Sequence, residues 1–333
     1  MIRYIARRML WNLLVLWVIT LITFGLMHAV PGGPFDREKP LPPEIKANIE
    51  AKYHLDQPVV VQYLYYMRDL LVPRYSLTLP TSLQEDALIR WKIGPGYFLW
   101  INLGPSYSSR SRSVNDIIRQ NLPISFELGM YALLVAVGIG IPLGILAALH
   151  QNTFLDYLGM SMAIFGVSVP VIVLGPILVS IFGVWLKWLP PTGWGTPQHA
   201  IMPSIALGLA SSALIARLTR ASLLQVIRED YIRTARAKGL AERLVIIRHA
   251  LRNSLIPVVT VLGPLFAALV TGTFVTETIF GIPGLGRYFV TSITNRDHPV
   301  IMGTILIYAI FLVIANLVVD ITYAFLDPRI RYT

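Results

Sequence analysis

Apolar runs long enough to cross a lipid bilayer recur along the whole chain. They cover residues at about 9–30, 124–149, 158–184, 200–222, 257–280 and 300–325. Each lies near the ~20 residues that a helix needs to span the hydrocarbon. Only 14% of the 333 residues are charged, against about a quarter in soluble domains. A single water-soluble core of this size would need a more polar surface than these residues supply. The sequence therefore predicts an all-α membrane protein of about six transmembrane helices.

The placement of Lys and Arg sets the orientation. The start, "MIRYIARRML", carries Arg3, Arg7 and Arg8, and the apolar run behind it ends in "HAVPGGPF". A signal peptide has a shorter apolar region and a small-x-small cleavage site, so a retained first span with a cytosolic N-terminus is expected. Nine basic residues then fall between Arg217 and Arg252, with Arg329 and Arg331 near the end. The loops after the third and fifth spans hold only Lys187, Arg287 and Arg296. Positive charge collects on cytosolic loops, which puts both termini and the 217–252 loop inside. The eleven basic residues of 31–123 do not weigh against this, because loops beyond about 60 residues escape the count. The net charge of +10 thus reflects membrane topology and not nucleic-acid binding.

Residues 1–30 then form the first transmembrane helix, 31–112 a long external segment between the first two spans, 113–326 a core with five more spans, and 327–333 a cytosolic tail. Within the external segment, "LPPEIKANIEAKYHL" and "QPVVVQYLYYMRDLL" each place Pro ahead of helically spaced apolar residues. They predict helices on or near the outer membrane surface. The stretch 72–100 lacks clear periodicity and reads as an inserted lobe. In "SVNDIIRQNLP", Ser113 is a candidate N-cap for a short helix leading into the second span. Gly140 and Gly144 have the spacing of a close helix–helix seam, as general helix packing or as a dimer motif.

The stretch "RTARAKGLAERLVIIRHALRNSLIP" (233–257) holds six Lys or Arg and one acid, Glu242. A charge at mid-bilayer costs roughly 2.5–3.5 kcal/mol on the insertion scale, so this segment lies outside the hydrocarbon. It still reads as helix–turn–helix. Leu224, Ile227, Tyr231 and Ala235 are spaced 3, 4 and 4 along one face. Gly239 stops that helix. Leu244, Ile247 and Leu251 continue a second helix into the fifth span. A topology anchor needs only charge, whereas two helices with apolar faces and a Gly stop suit a docking hairpin.

"RTARAKG" followed by "RHALRNSLIP" resembles the EAA-type cytoplasmic loop of ABC importer permeases, in the variant of peptide permeases. "PGGPF", "LPPEIKANIEAKYHLDQP", "LGPSY", "VNDII", "TETIFGIPGLG" and "DPRIRY" are similar to the B-type subunit of an oligopeptide importer, over almost the whole chain. The resemblance implies a multi-pass permease of the bacterial cytoplasmic (inner) membrane, surrounded by lipid, that forms half of a pathway for oligopeptides. Its implied partners are a homologous second permease, two cytosolic ATPase subunits that bind ATP and Mg, and an external peptide-binding protein. It assigns ATPase coupling to Arg233, Thr234, Ala235, Arg236, Ala237, Lys238 and Gly239.

No cofactor is expected in this chain, and no catalytic or metal site. It has no cysteine and no G-x-x-x-x-G-K-[ST], so a P-loop is excluded. Its six histidines show no metal spacing. Ionisable residues inside spans are candidates for function, which singles out Glu277 and Glu127 as possible positions on a translocation path, with a peptide amino terminus as the natural partner of Glu277. The competing reading is an ion-coupled secondary transporter that works without ATPase subunits. Such proteins carry mid-span acids or inverted repeats, and neither is evident here.

Overall fold

The computed structural model describes residues 2–30, 33–35, 43–80, 82–109, 111–271 and 274–326. The expected tail 327–333 lies outside them. Helix α1 spans Ile2–Ala29, α2 Pro43–Lys52 and α3 Val59–Leu71, and three short strands follow: β1 Arg74–Ser76, β2 Ile89–Ile93 and β3 Gly96–Trp100. Helix α4 runs Val114–Leu149, α5 Phe154–Ser168 and α6 Val171–Leu178, the last continuing as a π-helical stretch, Val179–Trp185. Helix α7 covers Pro197–Val226, α8 Asp230–Ala237 and α9 Glu242–Leu244, and a second π-helical stretch, Val245–Ala250, leads into α10 at Leu251–Ser254. Helices α11 (Ile256–Val270), α12 (Phe274–Ile279), α13 (Leu285–Thr294) and α14 (His298–Leu326) complete the order.

Four helices are long and apolar enough to cross a membrane: Arg7–Ala29, Val114–Leu149, Pro197–Val226 and His298–Thr322. Two bent pairs, 154–168 with 171–185 and 242–254 with 256–270, raise the number to six. The third expected span is broken by 97°. Its cause is local: Pro170 pushes Val169 out of the helical region to φ −95°, ψ 110°. The fifth ends at Val270, earlier than the expected residue 280, and α12 follows as a separate short helix.

The expectation of an all-α chain is corrected by the strands. They form an antiparallel sheet in the order β1-β3-β2, inside the stretch read only as a lobe. Ile93 pairs with Gly96 across the two-residue turn Gly94–Pro95, with Gly94 at φ +61°. An added Cβ on Gly96 would lie 2.6 Å from the Ser76 carbonyl oxygen, so only glycine fits between β1 and the turn.

The chain divides into two compact units. The first comprises Ile2–Pro123 and Gly284–Ile310, the second Ile124–Pro283 and the chain from Phe311 onward. These cut across the segments expected from the sequence, because α4 and α14 each contribute to both. In the first unit α3 lies along α1, with the Thr20 and Tyr63 hydroxyls 2.9 Å apart. Ser113 caps α4, accepting the Asp116 N–H at 2.9 Å, as its sequence context predicts. The "SVNDIIRQNLP" helix is not separate; it is the first turns of the 36-residue α4. Asp86, nearly buried, holds the sheet to this helix start. It accepts both from Arg119 at 2.8 Å and from the Ser113 hydroxyl and Arg90.

In the second unit small residues form the seams. A Cβ on Gly140 would meet the Ser212 carbonyl oxygen at 2.7 Å, and one on Gly144 the Ala216 carbonyl oxygen at 2.6 Å. The Gly140–Gly144 pair is therefore spent on packing α4 against α7 within the chain. Gly208 presses on Val135 in the same seam, and Gly263 on Ala315 and Val319 of α14. Leu128, Ala132, Met202, Ala206, Leu269 and Phe280 fill the core between these helices.

Candidate coupling site

The basic segment folds as a compact hairpin at one end of α4 and α7. Helix α8 begins after an extended Glu229 (ψ 147°) and ends at Ala237, with Lys238 as its C-cap. Gly239 follows at φ +75°, in the left-handed region that glycine enters freely, and its N–H bonds the Arg236 carbonyl at 2.9 Å. Across this turn Arg236 makes two hydrogen bonds to the Glu242 carboxylate, at 3.0 and 2.6 Å. The Asn253 amide of α10 donates to the Tyr231 hydroxyl at 2.8 Å. Two side-chain ties thus hold the returning chain against α8.

The apolar face of α8 does not wait for a partner. Ile232 and Ala235 are buried against Ala148 of α4, Leu223 of α7, and Val245 and Ala250 of the π-helical stretch. Tyr231, placed on that face by spacing alone, is exposed. The coupling residues therefore separate. Arg233, Thr234, Arg236, Ala237, Lys238 and Gly239 are exposed, whereas Ala235 points into the chain. Its part is to seat α8 on the ends of two long helices. Arg236 is engaged by Glu242, and Arg233 reaches Asp230 at 3.4 Å. An open groove beside the start of α8 is lined by Leu224, Gln225, Arg228, Glu229 and Asp230.

Sequence spacing also missed the strongest tie beneath this hairpin. Asp156 of α5, 2% exposed, binds Arg220 of α7 through two hydrogen bonds, at 2.7 and 2.6 Å. It also accepts the Asn152 N–H at 3.0 Å. Asp156 lay at the edge of a predicted span, and nothing local marks Arg220 as its partner.

The two candidate acids sit in different surroundings. Glu277 of α12 is fully buried and accepts from the Ser125 hydroxyl at 2.9 Å. Glu127 is exposed and accepts from the Tyr131 hydroxyl at 3.0 Å. In this conformation Glu277 is sealed from solvent, so contact with a passing solute requires the helices around it to part.

Residues 140–332 match the family model of the binding-protein-dependent transport system inner membrane component, and residues 1–82 match the model of the N-terminal part of such membrane components. The chain belongs to this permease family. It is 44% identical over 331 residues to the dipeptide transport system permease protein DppB of Bacillus subtilis (strain 168), covering 99% of this chain and 98% of that one. It is 41% identical over 334 residues to the oligopeptide transport system permease protein OppB of Escherichia coli (strain K12), covering 100% of both. One solved structure, an inward-facing methionine ABC transporter MetNI, aligns with a TM-score of 0.52 at 17% identity, over 63% of this chain and 96% of that chain. At that identity the likeness speaks to fold alone. The chain is thus a multi-pass, inner-membrane permease component of an ABC importer. Membership in a binding-protein-dependent system sets aside the ion-coupled transporter that works alone.

Proposed function

We propose that this permease forms half of the pathway for short peptides in an ATP-driven importer, with a homologous permease as the other half. An external binding protein delivers the peptide, and two cytosolic ATPase subunits bind ATP and Mg and dock beneath the pair. Both termini and the α8 hairpin face the cytosol, and residues 31–112 face outward. The peptide assignment is supported by the dipeptide and oligopeptide permeases that the chain resembles end to end.

One observation carries the mechanical part. The exposed side of α8 is polar and cationic, while its apolar side is locked to α4 and α7. A push on Arg233, Ala237 and Lys238 passes through Ile232 and Ala235 into Leu223 and Ala148, with no loop to absorb it. Docking of the ATPases around nucleotide would then tilt the long helices together and switch access from one side to the other. The pathway-lining roles of Glu277 and Glu127 belong to the open arrangement. The test is uptake of a labelled dipeptide into cells carrying the permease pair and binding protein, with and without the ATPase subunits. Uptake that needs those subunits is expected. Uptake that continues without them and collapses with an ionophore would overturn the proposal.

A further inference from the structure

A cavity of about 300 Å³ lies wholly within the unit formed by residues 2–123 and 284–310. Its size falls at the lower end of the ~300–1,000 Å³ usual for small-molecule sites. The walls are rings: Phe24 and His28 of α1, Tyr53 just beyond α2, Tyr66 of α3, Tyr107, and His298 at the start of α14. Phe24 stacks on His28 at 4.2 Å between centroids, Tyr53 meets Tyr107 at 4.9 Å, and His28 faces His298 at 5.8 Å. The His28 ring is fixed in place, with Nδ1 2.9 Å from the Phe24 carbonyl oxygen and Nε2 3.2 Å from Gln62 Oε1. The Tyr66 phenol oxygen is buried without a hydrogen-bond partner among the described residues. Burial pushes its pKa up, so it stays an O–H donor.

The rim carries charge of both signs. Arg68 and Arg74 both bind Asp69 and so neutralise it. Lys52 and Glu85 differ: each is exposed, each borders the cavity, and neither makes an ion pair among the described residues. The Gln84 side chain donates to the Lys52 carbonyl at 3.3 Å, which keeps the two segments together. An ammonium and a carboxylate thus both border the ring-lined cavity without an ion pair between them.

We propose that this cavity is a subsite for a short zwitterionic peptide, with Lys52 facing its terminal carboxylate, Glu85 its terminal ammonium and the ring walls a side chain. The proposal rests on the peptide-import reading and adds a waiting place on the face that reading makes external. The Lys52 ammonium, 5.7 Å from the Tyr53 ring centroid, and the Glu85 carboxylate match the two ends of a peptide in sign, and the space fits a molecule of dipeptide size. A diacyl lipid would leave its chains outside.

The test uses the complete transporter in nanodiscs without its binding protein. The probes are radiolabelled Ala-Phe and the same dipeptide blocked as N-acetyl-Ala-Phe-amide. Saturable binding of Ala-Phe is expected, weakened at least tenfold by blocking the ends. Met27→Trp, which drives an indole into the cavity from α1, should weaken it by a similar factor. Lys52→Glu should do the same, and adding Glu85→Lys should restore part of the loss. The Lys52 and Glu85 substitutions change exposed side chains, so they remain decisive if Met27→Trp fails to assemble. No saturable binding, equal affinity for the blocked peptide, or binding unchanged in Lys52→Glu would each overturn the proposal. ATP-dependent uptake with the binding protein restored, measured on the same transporter, separates the two readings. If uptake persists while the cavity results fail, only the subsite is lost; if ATP-dependent uptake is absent, the importer reading fails as well.

Discussion

Gly239 shows how little a side chain must change to disturb the hairpin. Its φ of +75° costs an L-residue roughly 1–2 kcal/mol, and nothing lies within 4 Å of an added Cβ. Gly239→Ala should therefore lower stability by about 1 kcal/mol and leave transport near normal. Gly239→Pro cannot adopt that φ and cannot donate to Arg236. It should leave the protein inserted while peptide-stimulated ATP hydrolysis is lost; normal stimulation would count against a coupling role. Asp156 is a sharper case. Asp156→Ala leaves Arg220 without its partner, and because Arg220 is about a quarter exposed the cost belongs at the low end of roughly 3–5 kcal/mol. The double change Asp156→Leu with Arg220→Met should recover most of it in thermal melts of the purified complex. Gly239 was legible in the sequence because a left-handed stop has its own residue chemistry. Ala235 was read from its spacing as part of the apolar face and is buried there; what spacing alone does not show is that Val245 and Ala250 of the same chain cover that face.

The helices were legible by length and hydropathy, and their breaks were less so. Pro170 bends the third span by 97°, although proline inside membrane helices elsewhere in the chain, at Pro203 and Pro264, leaves α7 and α11 unbroken. What differs is that the residue ahead of Pro170, Val169, is extended, and the apolar run itself does not mark which proline breaks its helix. The sheet was missed for another reason. Strands of three to five residues are too short for an alternation to stand out, and only the Gly94–Pro95 turn ahead of the aromatic-rich run Tyr97–Trp100 marks it. The seam between α4 and α7 gives the clearest test at this scale. Gly144→Leu must displace the Ala216 carbonyl and Thr219, whereas Gly138, with nothing within 4 Å of its Cβ position, has room. We expect Gly144→Leu to cost about 1–3 kcal/mol, read as a lower melting temperature of the assembled complex, and Gly138→Leu to leave it within error. Equal effects would remove the seam.

At the scale of the whole molecule, the proposed function turns on the cationic hairpin meeting an ATPase on another chain. Charge distribution alone led to the expectation that the 217–252 loop is cytosolic; the structure adds that the exposed face of α8 is polar and its inner face is packed on α4 and α7. Helix α8 can therefore act as a handle on the spans, which a loosely tethered anchor could not. The chain has no cysteine, so a single introduced thiol reports without background. The most direct measurement is disulfide or short-linker cross-linking of Ala237→Cys to the cognate ATPase subunit in inverted membrane vesicles, paired with a membrane-impermeant maleimide applied to intact spheroplasts. A nucleotide-sensitive cross-link to the ATPase, with no labelling from outside, is the predicted result. Labelling of that thiol from the external face, or an assembled transporter whose ATPase never reaches it, would contradict the account.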